Sequence, residues 1–155
     1  MEAPVTIYTD GGCSGNPGPG GWAFIIVQET DEGNVVLAEQ YGAERATTNN
    51  RMELRAVIES LRTLDTFADV SRNITVLTDS QYVQKGITEW ITAWKLNAWR
   101  TSNKKPVKNQ DLWMELDSIS SNFTLAWEWI RGHSGIAYNE HCDRLTQQAI
   151  ASIEV

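Results

Sequence analysis

Polar and apolar positions alternate through residues 4–9 (PVTIYT), which predicts a first β-strand. Residues 10–21 are rich in glycine and proline and read as a loop. A second strand is expected over 22–28, a turn at Asp31-Glu32-Gly33-Asn34, and a third strand over 35–41, completing a meander. The period then changes. Leu54, Val57, Ile58, Leu61 and Leu64 recur at helical spacing, so an amphipathic helix is expected over 50–64, with Asn50 and Glu53 as a capping pair. Residues 73–78 (NITVLT) predict a fourth strand, followed by two short helices over 80–85 and 88–96. A basic loop precedes a helix over 109–119, a fifth strand over 123–130 and a loop over 131–139. A last helix begins at Glu140 and runs to about residue 152. A meander followed by alternating strands and helices predicts an α/β fold: a five-stranded mixed sheet, three strands antiparallel and the rest parallel, flanked by helices.

Nothing divides the 155 residues, so one domain over 1–155 is expected. No run of eighteen apolar residues is present, which argues against a membrane-spanning helix and against a membrane partner. The N-terminus has no basic region followed by an apolar one, so no secretory signal is expected. Two cysteines, Cys13 and Cys142, make neither a disulfide framework nor a zinc site and fit reduced thiols in the cytoplasm. The net charge is -7, from 13 basic and 20 acidic residues. That balance alone argues against a nucleic-acid ligand. Its distribution argues the other way: residues 90–110 carry Lys95, Arg100, Lys104, Lys105 and Lys108 and no acid. Such a cationic segment can meet phosphates on its own.

Two apolar strand patterns finish alike, as Ile7-Tyr8-Thr9-Asp10 and Val76-Leu77-Thr78-Asp79. If these strands are parallel neighbours, the two aspartates share one edge of the sheet, where α/β sheets bind ligands. Glu53 lies in the first turn of its helix and Asp143 early in the last one. Each could equally be a turn, cap or solvated helix residue. As a group they would repel one another unless a cation joins them. Oxygen donors alone favour a hard ion, Mg²⁺ or in substitution Mn²⁺.

These pieces, taken with others, resemble the bacterial type 1 ribonuclease H family over nearly the whole chain. The matching motifs are Tyr8-Thr9-Asp10-Gly11, Gly15-Asn16-Pro17-Gly18 and Thr47-Thr48-Asn49-Asn50-Arg51-Met52-Glu53-Leu54. They continue with Thr78-Asp79-Ser80-Gln81-Tyr82-Val83, Lys105-Pro106-Val107-Lys108-Asn109 and Asp111-Leu112-Trp113. Gly132-His133 and Asn139-Glu140-His141-Cys142-Asp143 complete the series. The resemblance implies the ribonuclease H-like fold and hydrolysis of the RNA strand of RNA–DNA hybrids. It implies that Asp10, Glu53, Asp79 and Asp143 hold two Mg²⁺ ions, one activating water and the other stabilising the leaving 3′ oxygen. Products would carry a 5′-phosphate and a 3′-hydroxyl. His133 would act near the scissile phosphate as a proton shuttle or product-release group, for which an imidazole is suited.

The same resemblance supplies the expected hybrid contacts: Gly11, Cys13, Asn16, Thr48, Asn49, Asn50, Gln81, Trp90, Asn139 and the lysines Lys104, Lys105 and Lys108. Amides and main-chain groups can both donate to and accept from the 2′-hydroxyl that marks the RNA strand. The sequence departs from the family at Gly12 and at Lys95-Leu96-Asn97-Ala98, where a dense basic run is missing, so weaker substrate affinity is expected. The protein would act as a monomer. The alternatives are a non-catalytic hybrid-binding domain, which would be expected to have lost a carboxylate, and an integrase- or transposase-like core, which lacks the tryptophan-rich basic segment.

Overall fold

The computed structural model describes residues 3–130 and 137–153. Strands β1 (Val5–Cys13), β2 (Gly18–Thr30) and β3 (Gly33–Thr47) form the meander. Helix α1 (Asn49–Leu64) leads to β4 (Asn73–Thr78), and α2 (Gln81–Lys85) follows. A π-helical turn, Gly86–Trp90, joins α2 directly to α3 (Ile91–Leu96). Then come α4 (Gln110–Ser120), β5 (Thr124–Trp129) and α5 (Ala137–Ile153). The sheet order is β3-β2-β1-β4-β5. β1 is antiparallel to β2 and parallel to β4, which in turn is parallel to β5.

α1 packs against one face of the central strands and α5 against the other. Val5 and Ile7 join Leu54, Val57, Ile58 and Leu61 in one core, which continues to Val83, Leu112 and Trp113. Ala23, Ile25 and Val27 of β2 meet Cys142 and Leu145 of α5 in a second. β2 therefore has both faces covered and reads as an apolar run rather than an alternation.

Several boundaries differ from the sequence expectations. β1 does not stop at residue 9: Asp10, Gly11, Gly12 and Cys13 stay paired with Ala23, Trp22, Gly21 and Gly20. Local glycine content reads as a loop, but pairing with β2 overrides it. Thr48, not Asn50, caps α1, its hydroxyl accepting from the Arg51 amide at 3.3 Å. The two short helices expected after β4 are continuous through the π-helical turn. α5 starts at Ala137, so Asn139 is helical rather than in a loop.

Candidate active site

β1 and β4 remain paired up to Tyr8 and Leu77. Asp10, within β1, and Asp79, just past the end of β4, each lie two residues beyond that pair. Thr9 reinforces the junction, its hydroxyl donating to the Leu77 carbonyl at 3.0 Å. Glu53 is brought to the same edge by close approach of α1 to β1. A Cβ at Gly11 would stand 2.5 Å from the Glu53 amide nitrogen and from the Met52 carbonyl carbon, so only glycine lets helix and strand meet there. Asp143 arrives from α5, which Cys142 anchors by a thiol contact of 3.4 Å to the Tyr8 carbonyl.

Together these residues line a polar cleft of about 510 Å³, with Gly11, Gly12, Cys13, Ser14, Asn49 and Gln147. A larger hollow of about 710 Å³ lies at the opposite end of β4 and β5, between Pro4, Asn73 and Thr124, and has no acidic residue in its lining. The acidic cleft is the one with chemistry.

Burial, then the nearby charges of Asp79, Asp143 and Glu53, push the Asp10 carboxyl up to about 7; a hydrogen bond from Thr146 opposes this. Burial also pushes Glu53 up to about 7, with Asp79 adding to the effect and hydrogen bonds from Ser80 and Asn49 opposing it. Thus Asp10 senses all three other carboxylates, and the cost of their shared charge is written into its proton affinity. Among the described residues, no group of three or more acidic, histidine or cysteine side chains is gathered closely enough to hold a metal ion by itself. An open arrangement suits a hard cation that keeps several waters and takes the rest of its ligands from a substrate phosphate. The oxygen-only donor set and the raised proton affinities both fit such an ion.

The other predicted contacts are distributed around this cleft. Gly11, Cys13 and Asn49 line it. Asn16 accepts the Asn49 amide at 3.3 Å, which ties the glycine-rich turn to the start of α1. Thr48 and Asn50 flank Asn49. Gln81 opens α2 and is exposed. Trp90 is half-buried, with its ring centroid 5.9 Å from that of Tyr82 and 5.7 Å from that of Trp94. Lys104, Lys105 and Lys108 are exposed, whereas Lys95 is paired with Asp117 at 3.2 Å. Asn139 is buried in the first turn of α5 and is not part of the cleft lining. His133 lies outside the described residues.

Two residues that sequence reading passed over act directly on the carboxylates. The Ser80 hydroxyl accepts from the Val83 amide at 3.0 Å, capping α2, and has its proton left for Glu53. The Thr146 hydroxyl lies between the Cys142 carbonyl, at 3.0 Å, and the Asp10 carboxylate, with one proton to share. Thr146 stands three residues after Asp143, on the same helix face, and that spacing was the available signal.

The sheet order places the chain in the α/β class, a five-stranded mixed sheet with an acidic cleft at one edge. A family model described as RNase H matches residues 2–151, and the chain belongs to the ribonuclease H family, whose members are nucleases. A ribonuclease H from Treponema denticola is 50% identical over 155 residues, covering 94% of this chain and 96% of its own. Among solved structures, LC9-RNase H1, a type 1 RNase H, superposes with a TM-score of 0.85 at 32% identity, covering 98% of this chain and 74% of its own. LC11-RNase H1, solved in complex with RNA/DNA hybrid, gives 0.72 at 25% identity, covering 97% of this chain and 99% of its own. The family is generally dependent on divalent metal. No helix among the described residues is long and apolar enough to cross a membrane.

Proposed function

We propose that this chain hydrolyses the RNA strand of RNA–DNA hybrids at the cleft formed by Asp10, Glu53, Asp79 and Asp143. The observation that carries the reading is the meeting of these four carboxylates, from β1, α1, the end of β4 and α5, in one open cleft. When bound there, a pair of Mg²⁺ ions, replaceable by Mn²⁺, supplies positive charge that polarises the phosphodiester and eases loss of a proton from the attacking water.

The chain's own groups do the rest. Asn49 and Ser80 hold Glu53 by hydrogen bonds that favour its charged form. Thr146 does the same for Asp10. Gly11, Gly12 and Cys13 present backbone at the cleft wall, where amide and carbonyl groups can reach a 2′-hydroxyl. Asn16, Thr48, Asn49, Asn50, Gln81 and Asn139 are assigned to the hybrid by the family resemblance. The Trp90 face receives the DNA strand, and Lys104, Lys105 and Lys108 neutralise its phosphates. His133 moves a proton near the scissile phosphate or assists product release. We assign the chain to a single domain over residues 1–155, acting as a monomer in the cytoplasm. Both cysteines are free, which accords with that compartment.

The test is incubation with end-labelled RNA–DNA hybrid, with and without Mg²⁺. The reading expects cleavage of the RNA strand alone, only with metal, leaving 5′-phosphate and 3′-hydroxyl ends. Cleavage of both strands, or none, contradicts it.

A further inference from the structure

Asn109 stands between the basic segment and α4 with a φ of 60° and a ψ of 29°. That left-handed conformation is unfavourable for any residue carrying a Cβ, though asparagine tolerates it better than most. An asparagine before a helix ordinarily turns its side chain onto that helix's own amides. Asn109 makes no such cap bond. Its amide points outward instead. The oxygen accepts from Arg51 Nη1 at 3.2 Å, and the nitrogen donates to the Tyr82 hydroxyl at 3.1 Å.

Both partners lead to the cleft. Arg51 is two residues before Glu53 in α1 and also forks onto Asp111, at 3.0 and 2.7 Å. Tyr82 is three residues beyond Asp79. Its hydroxyl accepts a second bond from Trp113 Nε1 at 3.0 Å, and its ring lies edge-on to Trp90. On the other side, the basic segment is a closed hairpin. Arg100 bridges Pro106, the Thr101 amide donates to the Lys105 carbonyl at 2.7 Å, and the Val107 amide donates to the Trp99 carbonyl at 3.0 Å. Gln110 Nε2 donates to that same carbonyl at 2.8 Å. Lys104 and Lys105 therefore ride on a stiff hairpin with Lys108 just below it, and Asn109 is its foot.

We infer that Asn109 is a positioning residue, its side-chain amide being the joint that sets the basic hairpin against Trp90 and the Glu53 helix. The inference rests on the hybrid-cleaving function proposed above. A loosened foot leaves the carboxylates in place but lets the lysines wander, so phosphate contacts must be gathered afresh at each binding event. The loss falls on KM.

Asn109→Gly removes the amide while keeping a residue at ease with positive φ. Steady-state cleavage of RNA–DNA hybrid is measured for this variant in the parent chain and in a K104A/K105A/K108A background. In the parent, KM should rise about fivefold with kcat within about twofold. In the triple-alanine background, the same change should raise KM by less than about twofold, because the hairpin has little left to present. Asn109→Asp keeps an acceptor for Arg51 and can take the tyrosyl proton, so its KM should return to within about twofold of the parent. Equal KM factors in both backgrounds, a loss confined to kcat, or an aspartate variant as impaired as the glycine one overturns the inference. A parent chain that leaves hybrids uncut overturns the functional reading and this inference with it; equal factors overturn this inference alone.

Discussion

Asn49 donates its side-chain amide to Glu53 Oε1 at 3.0 Å, across one turn at the start of α1. The residue after the helix cap thus holds a carboxylate that burial and Asp79 push toward protonation. Asn49 belongs to the cleft wall and is also a proposed hybrid contact, so two functions meet in one amide. Asn49→Ala should leave Glu53 with a still higher proton affinity. The acid limb of the cleavage rate should then move to higher pH by at least a few tenths of a unit, since one hydrogen bond to a charged group is removed. A pH–rate profile at saturating hybrid checks this; an acid limb in the parent's place would separate Asn49 from Glu53.

Metal-free stability should depend on pH through the same cluster. Asp10 and Glu53 each have proton affinities raised to about 7 in the folded state, above the ordinary carboxylate range. Between about pH 4 and 7 the unfolded chain releases these protons and the folded chain retains them, so stability falls as pH rises through that window. Above pH 7 the penalty is complete. Asp10→Asn removes its share, on the order of 4 kcal/mol at most. Denaturant melts in the presence of a chelator should therefore show the variant more stable than the parent at pH 8 and level with it near pH 4. A variant less stable at pH 8 would mean that burial and the neighbouring carboxylates do not penalise the Asp10 charge.

Gly11→Ala tests the contact that brings Glu53 to Asp10. An added Cβ would meet the α1 backbone, which cannot step aside as a side-chain tip can. Overpacking of this kind costs about 1–3 kcal/mol. Cleavage should fall along with stability, whereas Gly33→Ala, at an open turn with nothing near its Cβ position, should affect stability alone. Thermal melts and rates for both variants give the comparison. A Gly11→Ala protein with the parent's rate would show that helix and strand need not touch there.

The fold was legible where local pattern and tertiary context agree. Residues 73–78 form β4 as read, because a β-branched run ends at polar residues on both sides. The apolar face of α1 is equally plain. The sequence offers Asp10 as a candidate at a strand end, but not its setting: it lies inside a strand that the glycines disguise as a loop. Ser80 and Thr146 stayed hidden because hydroxyl residues in helical segments have many ordinary uses. The Arg51–Asn109 contact joins residues 58 positions apart, beyond the reach of any periodicity.

The basic hairpin should act through charge. Replacing Lys104, Lys105 and Lys108 with alanine should raise KM more than it lowers kcat. It should also flatten the dependence of log binding on log salt by about 0.9 for each phosphate no longer neutralised, on the B-DNA scale. Hybrid binding measured across a salt series checks this, and an unchanged slope would place the three lysines off the substrate.

The central claim is that the four-carboxylate cleft cuts RNA in a hybrid, and Asp10→Asn tests it most directly. The substitution keeps the side chain's shape, so the variant should fold and bind hybrid as the parent does. With Mg²⁺ and labelled hybrid, the parent should cut the RNA strand and the variant should be slower by at least about 10³-fold, as expected when a group essential to transition-state charge is removed. A folded variant that cuts at a rate near the parent's would contradict the assignment of the cleft.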